Sequence, residues 1–83
     1  MNVYIVSYMN QDLYTSYDVY THKLKAINKF HEMVDMENKE FEEAGIEDRF
    51  YKEVTPEDNV YTAMLEGEHR AAKIELRVER IKA

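Results

Sequence analysis

The side chains that could do chemistry are few, and their spacing is poor for it. The chain has three histidines, His22, His31 and His69. His31 and Asp35 stand four apart in a helix-like stretch, which puts two metal donors on one helical face. No third donor stands at a matching interval, so His31 reads as a solvated or hydrogen-bonded side chain. His22 and His69 read as surface residues. Carboxylate pairs recur as Glu42/Glu43, Glu47/Asp48 and Glu57/Asp58. General acid–base work needs burial or a like-charged neighbour to move a carboxyl pKa, and nothing in the pattern buries these. The serines, Ser7 and Ser16, both lie in a strand-like hairpin with no Gly-x-Ser-x-Gly elbow. There is no cysteine, hence no thiol nucleophile, disulfide or thiolate metal site. With two glycines in the chain, neither a Gly-x-Gly-x-x-Gly turn nor a Gly-rich Lys-Ser/Thr loop is present to cradle phosphate. The expectation is a protein that is not an enzyme and uses no metal or cofactor.

Two other features carry more information. The first is charge. The chain has a formal charge of −6 and a pI near 5.0, which argues against direct nucleic-acid binding and against a basic membrane-surface protein. Residues 37–58 hold nine acids and three bases, so this segment carries the whole net charge. Glu42, Glu43, Glu47 and Asp48 form its centre. The bland interpretation is a solvated helix end and loop. The functional one is an acidic ridge that meets a basic groove on a partner, as a protein imitating DNA charge would use.

The second is tyrosine. Five of the seven tyrosines fall in the first twenty residues: Tyr4, Tyr8, Tyr14, Tyr17 and Tyr20. Tyrosine fills half-exposed strand positions, but it is also enriched at binding hot spots. With Val3 and Ile5 turned toward a covering helix, Tyr4 and Tyr8 point to the open side of a sheet, and Tyr14 or Tyr17 joins them. A homodimer that buries this face is a further reading.

The elements that must position these residues follow from periodicity. Residues 3–9 are β-branched and aromatic and read as a strand. Asn10-Gln11-Asp12 supplies turn formers, and residues 13–20 read as a second strand of a hairpin. Thr21 is an N-cap candidate. From there Leu24, Ile27, Phe30, Val34 and Phe41 follow helical spacing, and Gly45 stands where a C′ glycine belongs. The helix is expected over about 22–44, with its charges set against the macrodipole. Residues 46–59 are polar and acidic, with Phe50, Tyr51 and Val54 as anchors and Pro56 as a breaker. Ala72, Ile74, Leu76 and Val78 alternate strictly with Lys73, Glu75, Arg77 and Glu79, the signature of a half-buried strand. The rival is one long helix after Pro56. It leaves Leu76 exposed and puts Gly67 in mid-helix at a cost of roughly 1 kcal/mol, so two strands, Val60 to Leu65 and Ala72 to Ile81, are preferred.

The result is a single domain over residues 1–83, α+β, ordered ββαββ, with one helix on one face of an antiparallel sheet. A chain of this size buries only about 60% of its unfolded surface. No apolar run reaches membrane-spanning length, and no basic, then apolar, leader opens the chain. A cytoplasmic protein is the expectation.

The opening Met-Asn-Val-Tyr-Ile-Val, the Thr21-His22-Lys23-Leu24-Lys25-Ala26 helix entry and the Ile74-Glu75-Leu76-Arg77-Val78-Glu79 ending resemble those of short accessory proteins encoded by bacteriophages and mobile elements. That resemblance implies a stoichiometric binder of a host protein, such as an inhibitor of a nuclease, defence system or transcription factor, working in the host cytoplasm. The alternative is a protein that binds or sequesters a small, nucleotide-like ligand. A chain this short rarely encloses a pocket, so that site is expected between protomers.

Overall fold

A computed structural model describes residues 1–12, 15–67 and 70–82 of the chain. Its elements are β1 (Asn2–Asn10), β2 (Thr15–Tyr20), α1 (Lys23–Glu43), β3 (Arg49–Thr55), β4 (Val60–Glu66) and β5 (Ala72–Arg80). The strands form one sheet in the order β2-β1-β5-β4-β3, and every neighbouring pair is antiparallel. The α+β class and the single helix on an antiparallel sheet are those implied by the sequence. The alternating run from Ala72 is a strand, not the end of a long helix.

The acidic stretch 46–59 supplies a further strand, β3, that its composition does not announce. Phe50 and Val54 alternate there with Tyr51 and Glu53. Pro56 ends the strand and starts the turn into the next one. A single 3-10 turn, Pro56–Asp58, is closed by Asn59 in the left-handed conformation (φ 54°). Asn59 also accepts a 2.7 Å hydrogen bond from Lys23 Nζ at the start of α1.

The caps of α1 explain its limits. Its N-cap is His22 rather than Thr21, and no side chain caps the first turn. The last turn closes on Gly45 (φ 72°). Gly45 N–H donates to Glu42 O at 3.1 Å and Ile46 N–H to Phe41 O at 2.8 Å, the two bonds of a Schellman motif. No acid sits in the first turn and no base in the last, so the helix ends unaided by the macrodipole.

Register decides which residues form the core, because directly paired residues share a face. Tyr4, Val6 and Tyr8 pair with Val78, Leu76 and Ile74 of β5. Those rows continue through Tyr61 and Ala63 of β4 and into β3. Against them α1 lays Ala26, Phe30 and Val34, all fully buried. Phe30 meets Tyr61 edge to face at 6.1 Å. Each large apolar side chain buried this way contributes about 1.5–3 kcal/mol.

Tyr4 and Tyr8 therefore lie on the helix-covered face, packed against the core. This corrects the expectation that Val3 and Ile5 face the helix. Both sides of β1 are apolar, so its own alternation does not choose between them. The choice is made by β5, whose apolar residues fall at Ala72, Ile74 and Leu76 and must share a face with the even-numbered residues of β1.

Candidate functional site

The face of the sheet away from α1 has no covering element among the described residues. Its rows follow from the same registers. One row runs Thr15, Met9, Lys73, Met64, Tyr51 from edge to edge, and the next runs Tyr17, Ser7, Glu75, Thr62, Glu53. Val19, Ile5 and Arg77 begin a third. The large apolar members stay open to solvent: Tyr17 is 63% exposed, Tyr51 58% and Met64 52%, with Met9 and Val19 also exposed.

Charge on this face is concentrated along its central strand, β5. Glu75 Oε2 accepts from Lys73 Nζ at 2.9 Å, and Glu75 Oε1 lies 3.7 Å from Arg77 Nε. Side chains two apart on a strand point the same way, so the three form an ion-pair ladder. The ladder ties down its own charges and leaves Met9 and Met64 on either side of Lys73. Ser7, beneath it in register, is buried. Aromatic and methionine side chains around an internally paired charged centre are the composition of a protein-contact surface.

The residues singled out in the sequence are thus divided. Tyr17 lies on the open face, Tyr4 and Tyr8 lie under the helix, and Tyr14 is outside the described residues. Tyr20 pairs with Tyr4 and shares the covered side. Tyr51, on the unrecognised strand β3, belongs to the open face. The alternation Phe50–Tyr51–Lys52–Glu53–Val54 was the available signal, obscured by Lys52. That residue stands in the core-facing row but sends its ammonium to Asp35 on α1, 3.1 Å away. Asp35 is therefore engaged by a lysine. His31 sits against the edge of Phe30, and burial, then Lys52, hold its pKa below the usual value, with Asp35 acting in the opposite sense. Among the described residues no group of three or more potential ligands is arranged for a metal.

The acidic segment spans the end of α1 and the loop into β3. Glu42, Glu43 and Glu47 are exposed at the helix end, and Lys39 reaches Glu43 only at 3.9 Å. Asp48 is half-buried, its carboxylate against the exposed Gly67, where an added Cβ would fall 2.5 Å from it. Arg49 closes the same loop, donating to Ile46 O at 2.5 Å and Asp48 O at 2.7 Å.

A second concavity lies at one end of the sheet, under the C-terminal half of α1. It encloses about 300 Å³ and is lined by Tyr8, Asp12, Glu37, Phe41, Leu65 and Arg70, among others. One polar residue of α1, Glu37, lines it. The apolar stripe of the helix runs Phe30, Val34, Phe41, and the position between the last two is Glu37. That gap in the spacing was the sequence signal for this site. Its neighbour Asn38 turns the other way and clamps β3: Asn38 Nδ2 donates to Phe50 O at 3.1 Å, and Phe50 N–H donates to Asn38 Oδ1 at 2.7 Å. The amide acts there as a short extra strand. Burial, and then the Glu40 carboxylate, push the Glu37 pKa up.

No protein-family model matches the chain, and neither a curated protein nor a solved structure is significantly similar to it. Among the described residues no helix is long and apolar enough to cross a membrane.

Proposed function

We propose that this chain is a small, non-enzymatic interaction module that occupies the surface of a partner protein with the open face of its sheet. The observation that carries the reading is the placement of Met9, Tyr17, Val19, Tyr51 and Met64 on that one face, exposed on either side of the Lys73–Glu75–Arg77 ladder. Exposed apolar patches of this kind mark contact sites. The resemblance to phage and mobile-element accessory proteins supports a host protein as the partner, inhibited or redirected by stoichiometric binding in the host cytoplasm. A second copy of the chain is the competing occupant, and light scattering on the purified protein tells the two apart.

The exposed carboxylates Glu42, Glu43 and Glu47 favour a second reading, contact through an acidic, DNA-like ridge. Salt separates the two. Binding through the open face changes little between low and moderate salt and is lost in Tyr17→Ser/Met64→Ser. Binding through the ridge weakens steeply with salt and is lost in Glu42→Gln/Glu43→Gln/Glu47→Gln.

A further inference from the structure

The end cleft combines features that the open face does not use. Glu37 stands on the core-facing stripe of α1, half-buried, and no described residue donates a hydrogen bond or ion pair to its carboxylate. A desolvated carboxylate left this way is held at a cost that a cation relieves. The walls beside it are the rings of Tyr8 and Phe41, with Leu65 as apolar lining, and Asp12 stands at the rim as a second carboxylate. The cleft already shows what its aromatic wall accepts. The Arg70 guanidinium lies 6.0 Å from the centre of the Phe41 ring, within cation–π range, yet makes no ion pair with Glu37.

We propose that this cleft is a receptor for a guanidinium or primary ammonium group carried on an apolar stem, with Glu37 as its counter-ion and Tyr8 and Phe41 as the walls along the stem. Arg70 is then an internal placeholder on the Phe41 ring that an incoming cation displaces. The group arrives either on a free small amine or on an arginine or lysine side chain of a polypeptide. The volume of about 300 Å³ suits one such side chain and is at the lower limit for small-molecule sites. The raised Glu37 pKa is consistent with an unmatched charge. The inference stands apart from the open-face reading, since the two surfaces lie on opposite sides of the sheet.

The test is an NMR titration of the isotope-labelled full chain with Nα-acetyl-arginine methylamide, its neutral isostere Nα-acetyl-citrulline methylamide, and agmatine. Saturable shifts of the Glu37 carboxyl carbon and the Phe41 ring are expected with the arginine compound, with citrulline weaker by about tenfold or more. Glu37→Gln is expected to weaken arginine by a similar factor while melting no lower than the parent, and Arg70→Ala to tighten it. Agmatine binding as strongly as the acetylated arginine points to a free amine. Stronger binding of the acetylated arginine points to a polypeptide side chain, and either order upholds the site. Equal shifts from arginine and citrulline, no saturable shift, or unchanged affinity in Glu37→Gln would overturn the proposal.

Discussion

The two faces of this sheet are built from the same residue types and end in opposite conditions. On the covered side, Val6, Ile74, Phe30 and Val34 are sealed from water, and Tyr4 and Tyr8 pack at the margin. On the other side, Tyr17, Met9, Met64 and Tyr51 remain open. Hydrophobicity alone does not separate them. What separates them is the central strand, which places Ala72, Ile74 and Leu76 on one face and a Lys–Glu–Arg ladder on the other. The lesson is that one strand with strict alternation sets the faces for neighbours that lack it.

Point variants sharpen the contrast. Phe30→Ala removes the largest fully buried side chain and is expected to cost about 3–5 kcal/mol in urea-melt stability. Tyr17→Ala on the open face is expected to change stability by no more than about 0.5 kcal/mol. Equal losses in the two would mean that the open face is covered in the free protein. Next in size is Asn38→Ala. It leaves the Phe50 N–H and C=O without their amide partner, at about 1–3 kcal/mol. Protection of the β3 amides in hydrogen exchange should fall before that of β1 or β5.

The smallest effects are those of pH on two half-buried groups of the covered side. Glu37 has its folded pKa raised above the ordinary 4.5, so ionisation disfavours the fold. Its contribution is fully present below 4.5 and is lost as pH rises through the folded value. Glu37→Gln should therefore raise the melting temperature at neutral pH, with the gain vanishing toward pH 4.5 and below. His31 has the opposite sign. Its folded pKa lies below 6.5, so its contribution is present above 6.5 and is lost as pH falls through the folded value. His31→Gln should flatten that acid-side loss in thermal melts across the same window.

How much of this was legible from sequence depends on whether local pattern or pairing decided the matter. The helix, its Gly45 stop and the alternating strand β5 are written in spacing, and the structure reproduces them within a residue or two. Strand β3 was hidden because Lys52 occupies a core-facing position while its ammonium leaves for Asp35. The side on which Tyr4 and Tyr8 lie was unreadable from β1, whose two faces are equally apolar, and became fixed only by the β1–β5 register. Whether Tyr14 or Tyr17 joins the open face depended on register, and the pairing of Tyr17 with Ser7 puts Tyr17 there, opposite Tyr4 and Tyr8. The cleft was missed because an interruption in an apolar stripe, Glu37 between Val34 and Phe41, reads as a lapse in the pattern when it is the pattern's one polar opening.

The central claim is that the open face, and not the acidic helix end, is the working surface. The most direct measurement is affinity capture at two salt concentrations with three forms of the chain: the parent, Tyr17→Ser/Met64→Ser, and Glu42→Gln/Glu43→Gln/Glu47→Gln. The account predicts that the parent and the glutamine variant recover the same stoichiometric partner at both salts, and that the open-face variant, equally folded by circular dichroism, recovers none. Retention by the open-face variant with loss in the glutamine variant, or no stoichiometric partner for the parent, would contradict it.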